Sequence, residues 1–329
     1  MRRGSAQPTH HRRPTREQVK QAILRSGYLL EMRVDRLFRQ REFTTEPNAT
    51  YPDPTTGKVR EIDIVARWTT TTPPSEVNAL VLCECENNSQ PVVFFGTPAD
   101  PERELDESIV ISGFPLAIDA GAGVPTHLAS LHGCNRDLHS YAWPLVTQYC
   151  TFKPPKNDGD GRWIALHSDE QHATLEALRQ ATCHRIEAHY KEMHGLLLGL
   201  LDPGEWLMAQ IYYPVVVLGG EMYLCSNSSG RVSLRRIRHA RLMKQWSGLN
   251  LASEISVGID IITEGHVPAY VRCVRNEVQY LSNLVKSHEA GIVKAIARLG
   301  QKIKGDETPT ALRGVVERHA SRLGEDDLD

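Results

Sequence analysis

The chain has 329 residues, 40% hydrophobic and 24% charged, with a formal net charge of −2. This is ordinary globular composition, and the length exceeds the usual ceiling for one hydrophobic core, so one large domain with appendages or two joined domains is expected. The near-neutral charge excludes a global basic field. No apolar stretch approaches the roughly 18 residues of a membrane helix, and seven cysteines without a CxxC pair point to a reducing cytosol, not a disulfide framework.

Residues 1 to 14 are polar, basic and proline-bearing, which predicts a disordered tail. The segment has no apolar h-region, so it does not read as a secretory signal, and a cytoplasmic protein is expected. Arg2, Arg3, Arg12 and Arg13 fit a solubilising tail better than a binding arm. Thr15 can cap a helix carrying Val19, Ile23, Leu30, Val34 and Leu37 at helical spacing, with a break or kink at Gly27. Asp53 to Gly57 form a turn signal between two strands, REFTTEPNATY and KVREIDIVARW. A Thr/Pro loop leads to a strand starting at Asn78, and Pro91 to Phe95 close this first unit.

Residues 96 to 160 give no clear pattern and end in PPKNDGDGR. DGDG lacks the spacing of a calcium loop and predicts a hairpin turn. A helix follows from about Ser168, carrying Leu175, Leu178, Ile186 and Leu196 to Leu198. WLMAQIYYPVVVLGG, GGEMYLC and ISVGIDIIT are strand-like, residues 266 to 304 read as helix, and the tail from 305 to 329 is acidic and frayed. There is no internal repeat. The fold class expected is α/β.

The stretch NALVLCECENN carries the main chemical signal. Strand side chains alternate, so Leu80, Leu82, Glu84 and Glu86 share one face, with the two carboxylates about 7 Å apart. Cys83 and Cys85 point the other way, as small core residues. Asp63 lies between Ile62 and Ile64 in the preceding strand. If the two strands are neighbours, three carboxylates gather at one sheet end, where each raises the others' pKa. A hard cation such as Mg²⁺ (or Mn²⁺) resolves that repulsion, and it can activate water against a phosphodiester. Sheet-edge acids are also common as a solvated face. Spacing by itself leaves both open.

Helix residues Gly27 to Glu31, a hairpin whose second strand holds Ile62 and Asp63, and then Leu82 to Glu86 resemble the core of the PD-(D/E)XK, or restriction endonuclease-like, nucleases. The resemblance covers roughly residues 16 to 95, under a third of the chain. It implies a mixed sheet flanked by helices, enlarged here by the C-terminal half, and a Mg²⁺-dependent nuclease acting on DNA sooner than RNA in bacterial defence or repair. By the same resemblance Asp63 and Glu84 are metal ligands, with the Cys85 backbone carbonyl a further one. Glu31 is the helix-borne acid, and Gln90, in the stretch that follows the motif, is a contact to substrate or water. Ile62 replaces the motif's Pro. Glu86 stands where the motif has Lys. There it binds a second ion or takes the water's proton, or else it marks an inactive descendant that only binds nucleic acid or serves as a scaffold.

VSLRRIRHARLMK concentrates Arg231, Arg235, Arg236, Arg238, Arg241 and Lys244, which suits either phosphate contact or a solvated face. His184, His189 and His194 are five apart on a helix and do not share a face as a zinc pair would. Trp68, Phe95, Tyr212 and Tyr213 fit core positions better than base stacking. Neither Gly113 nor Gly121 to Gly123 form a nucleotide-binding fingerprint, so an ATPase or sensor would be a separate chain. A homodimer is equally compatible.

Overall fold

The computed structural model describes residues 13–53, 56–72, 75–98, 111–113, 117–119, 125–127, 142–154, 162–167, 169–197, 207–228, 230–246 and 255–287. It is an α/β fold built on a large mixed sheet with four helices. The chain begins with α1 (Arg16–Arg25), capped by Thr15, whose side chain accepts from the Gln18 amide while the Gln18 side chain accepts from the Thr15 amide. That capping box satisfies two of the helix's orphan donors. The predicted break at Gly27 is present, and α2 (Tyr28–Arg39) follows it. Leu30, Val34 and Phe38 of α2 are buried, whereas α1 buries none of its side chains.

Strands β1 (Thr44–Pro52) and β2 (Val59–Thr72) form the expected hairpin. Asp53 builds its turn: the carboxylate accepts from the Thr56 amide and from Arg60, and Gly57 takes φ +68°. β3 (Ser75–Glu86) starts three residues before the predicted Asn78, because its parallel partner β10 (Leu207–Leu218) runs alongside it from Ser75 to Glu86. After β4 (Val92–Thr97) come β5 (Ile111–Gly113), β6 (Ala117–Asp119), β7 (Pro125–His127), β8 (Leu145–Lys153) and β9 (Ile164–Leu166). Next are α3 (Asp169–Leu197), β10 and β11 (Met222–Ser228). The basic segment divides into two strands, β12 (Arg231–Ile237) and β13 (His239–Trp246), interrupted at Arg238. β14 (Ile255–Thr263), a short 3-10 turn (Glu264–His266) and α4 (Val267–Ser287) complete the described chain. The predicted hairpin turn at DGDG, all of the N-terminal tail but Arg13 and Pro14, the helix beyond Ser287 and the acidic tail lie outside the described residues.

The sheet order is β1-β2-β3-β10-β14-β13-β8-β4-β11-β12. β3, β10 and β14 run parallel, each buried on both faces, which is why LVLC and VVVL are continuous apolar runs and not alternating ones. One face packs against α2 and α4 through residues including Phe38, Val81, Cys83, Val215 and Tyr270. The other packs against α3, where Leu80, Leu82, Leu178 and Leu218 share a cluster with Val92, Phe94 and Tyr149, so the sheet's second half curls back over this face. No described helix is long and apolar enough to cross a membrane.

Candidate active site

The site lies where β2 and β3 part. Their antiparallel ladder extends from Thr72↔Ser75 to Ile64↔Cys83 and stops there. β2 also loses its regular pleat at this point. Ile64 and Ala66 pack toward α2 and α4, but Ile62 packs on the opposite face with Val65. The residue across from the irregularity is Asn48, in the left-handed region at φ 52°, between the pairs Pro47↔Ile64 and Ala49↔Ile62. Asp63 occupies the break. Its Oδ2 accepts from the Cys85 amide at 2.7 Å, taking the place of the ladder bond that β2 no longer supplies.

Glu84 lies beside Asp63, close enough for each to act on the other's titration. Burial, then the charge of Asp63 and of the neighbouring acids, pushes the Glu84 carboxyl up from 4.5 to about 9, so it is protonated at neutral pH. Asp63 is also raised, by burial first, although the Cys85 amide and Glu84 both oppose the shift by bonding its charged form. Glu31, in the first turn of α2, is raised by burial and then by Asp63. Its position depends on Gly27: a Cβ there would lie 3.2 Å from Glu31 Oε1 and 3.8 Å from the Cys85 carbonyl oxygen. Glu31 and that carbonyl thus face the same small space.

Glu86 is half-buried, and its charge reaches both Glu84 and the hydroxyl of Tyr149. It lines a narrow cleft with Tyr149, Gln171, Thr174 and Leu218. Tyr51 flanks the pair from β1, donating to the Ala177 carbonyl, and burial and the nearby Glu84 raise its phenol to about 12. The main-chain carbonyl of Gln90 accepts from Asn88 Nδ2 at 2.7 Å.

Two residues without a chemical signature in the sequence hold the strand end in place. Asn87 Nδ2 donates to the Ser26 carbonyl at 3.0 Å, fastening the end of β3 to the corner that precedes Glu31. Asn88 Oδ1 accepts from the Gly220 amide at 3.0 Å, fastening it to the end of β10. A Cβ on Gly220 would come within 2.7 Å of the Asn88 carbonyl oxygen, so this junction needs glycine. Only the ENN tripeptide after the acids, with the GG after VVVL, hinted at the clasp.

Among the described residues, no cation pairs with Asp63, Glu84 or Glu31, and no three His, Cys, Asp or Glu side chains stand ready to hold a metal ion. Asp63 and Glu84 crowd each other instead, and Glu84 is pushed toward its protonated form. The available donors are carboxylate and carbonyl oxygens, the type Mg²⁺ accepts, and one or two carboxylates with retained waters satisfy that ion. The donor set therefore fits a hard divalent cation, with Asp63, Glu84 and the Cys85 carbonyl as its holders.

The other predicted residues go to separate places. Cys83 and Cys85 lie on the α2 and α4 side, as expected, with Sγ atoms 3.9 Å apart. The basic segment is divided between strands far apart in the sheet order. Arg241 points inward and pairs with fully buried Asp260 at 2.6 Å, while Arg236 pairs with Glu221 at 2.8 Å. Arg231, Arg235 and Arg238 are exposed, and the Lys244 backbone pairs with Val257. His184 packs beside Tyr51, and His189 is buried, its imidazole lowered to about 4 by burial and Arg67. Tyr212 and Tyr213 are core, Trp68 stacks on Phe43 under Arg275, and Phe95 is exposed. The chain matches no protein-family model, no curated protein and no solved structure.

Proposed function

We propose that this chain is a divalent-metal-dependent nuclease of restriction endonuclease-like architecture, acting on DNA. The observation that carries the proposal is the convergence of three acids at one strand end: Asp63, held by the Cys85 amide, Glu84 beside it, and Glu31 facing the Cys85 carbonyl from α2. Half-buried carboxylates crowded in this way cost the fold stability, which a cation restores. The element order, α2 then β1, β2 and β3, and the acids' places on β2 and β3 also support the proposal.

A bound divalent ion supplies charge stabilisation for the phosphodiester and a more acidic water. The chain's residues do the rest. Glu84 would give up its proton and, with Asp63, would hold the ion. Asp63 keeps its orientation through the Cys85 amide. Glu86, at the open end of the same strand, accepts the proton of the attacking water in place of the motif's Lys. Glu31 holds the negative potential from the opposite side.

The test is cleavage of plasmid, single-stranded DNA and RNA with Mg²⁺ or Mn²⁺, by the native chain and by Asp63→Asn and Glu84→Gln. The expected result is cleavage by the native chain and a loss of at least ~10³-fold in each variant, as for removal of a group acting on the transition state. Undiminished cleavage in either variant would remove the carboxylate site. A native chain that binds these polymers without cutting them would assign it to the inactive binding modules that Glu86 in the Lys position also suits.

A further inference from the structure

The carboxyl-terminal edge that carries the acids also carries a second, oppositely charged feature. A cleft of about 550 Å³ is lined by Arg235, Arg236, Arg238, His239, His266 and Pro144. Its wall is a stack of rings: His239 lies 4.5 Å from His266 and 4.5 Å from Trp143, which is itself buried and packs on Tyr270. The two imidazoles are therefore fixed by the core.

The cations here outnumber their partners. Arg236 is matched by Glu221, and Glu264, beside His266, is held by Arg33 in a two-point pair at 2.5 and 3.0 Å. Arg235, Arg238 and Arg272 have no ion pair among the described residues. Arg238 and Arg272 stand close enough to His266 to reinforce the effect of burial in disfavouring its protonation. Crowded cations backed by a buried wall form a site for an anion, by the same physics that makes crowded carboxylates a site for a cation.

The sheet register relates the two. Glu86 is level with Leu218, Leu218 with Thr263, and the Thr263 amide donates to the Arg238 carbonyl at 2.9 Å. The backbones at Glu86 and Arg238 are thus three strand spacings apart along one edge, roughly 15 Å, with Glu86 on the α3 face and the ring wall on the α2 and α4 face. At ~3.4 Å of axial rise per nucleotide, that is about four steps of a duplex strand.

We propose that this cleft binds backbone phosphates of the polynucleotide whose scissile bond is presented to Asp63 and Glu84. The proposal rests on the nuclease reading for its substrate, but it concerns binding and can be tested apart from cleavage. Arg235 and Arg238 make the phosphate contacts, and the ring wall fixes the strand's direction. Arg231, six residues from Ile237 on an extended strand and hence ~20 Å away, lies outside the cleft.

The test is fluorescence anisotropy of labelled single-stranded DNA, duplex DNA and RNA, with Ca²⁺ replacing Mg²⁺, from 50 to 200 mM salt. The proteins are the native chain, the Arg235→Gln/Arg238→Gln double variant, Arg231→Gln and Glu84→Gln. The expected result is a loss of at least ~10-fold in affinity in the double variant, with the salt slope reduced by about 2. Arg231→Gln should stay within about twofold. Since Arg235 and Arg238 are exposed, melting temperature should hold and exclude misfolding. Binding by the double variant within twofold of native, an equal loss in Arg231→Gln, or no binding by the native chain would each overturn the cleft. If the native chain cuts and Glu84→Gln does not, the nuclease reading survives that failure. Binding that depends on Arg235 and Arg238 without cleavage keeps the cleft and removes the nuclease reading.

Discussion

Two places in this sheet draw acid out of water, one fully and one in part, and they are built in opposite ways. Asp260, on β14, is fully buried, yet one oxygen takes the Arg241 guanidinium at 2.6 Å and the other the Tyr270 hydroxyl at 3.1 Å. Glu84, two strands away, and Asp63, three, have among the described residues each other, one backbone amide and Glu31. The first arrangement neutralises its charge within the chain. The second concentrates charge and leaves the neutralising to a proton, or to an ion from outside. A fold that solves the problem so completely at Asp260 is able to solve it at Glu84, and the contrast is what supports the proposed site there.

The contrast predicts opposite responses to substitution. Arg241→Ala should be the most damaging, because it leaves Asp260 buried and uncompensated. The expected cost is about 3–5 kcal/mol, read from urea unfolding. A cost below about 1 kcal/mol would mean that the pair is not what holds β13 against β14.

Removing charge at the other place should help. Between pH 4.5 and about 9 the folded chain keeps a proton on Glu84 that the unfolded chain has lost. Stability in EDTA should therefore fall as pH rises through that window, by at most ~1.4 kcal/mol per unit from this group. Glu84→Gln should flatten the slope and raise the melting temperature at pH 8. His189 acts in the other direction: its folded value of about 4 means that stability also falls as pH drops from 6.5 toward 4. A melting profile flat from pH 5 to 9 in the native chain would contradict the Glu84 assignment.

A smaller effect is expected at the clasp. Asn87→Ala removes the exposed bond to the Ser26 carbonyl and should cost no more than about 1 kcal/mol. Its effect on cleavage should be larger than its effect on stability, roughly 10-fold or more, because it loosens the corner that sets Glu31 against Asp63. Equal and minor losses in both would make Asn87 structural only.

Much of this contrast could be read from the chain, and some could not. The Gly27 break, the Asp53–Gly57 turn and the facing of Glu84 against Cys83 follow from local rules of glycine, turn chemistry and strand alternation. That β2 and β3 pair follows from their nearness in sequence. What local pattern does not encode is that β10, over a hundred residues later, lies beside β3 and brings Gly219 and Gly220 to its end. The lost pleat at Asp63 was likewise hidden, since it arises with Asn48 on the neighbouring strand. The basic segment misled as one strip: a single turn at Arg238 sends Arg235 to an outer strand and Arg241 into the core. Charge in sequence does not say which cations already have a partner.

The most direct test of the central claim, that Asp63 and Glu84 form an ion site, is the melting temperature of the native chain and of Glu84→Gln at pH 7.5 in EDTA, Mg²⁺ and Mn²⁺. A ligand held only by the folded state stabilises it by ~2.7 kcal/mol at a hundred times its Kd. The native chain should melt several degrees higher with either ion, and Glu84→Gln should melt at one temperature in all three. Equal melting of the native chain in EDTA and in millimolar Mn²⁺ would contradict the account, leaving the carboxylates as a solvated end of the sheet.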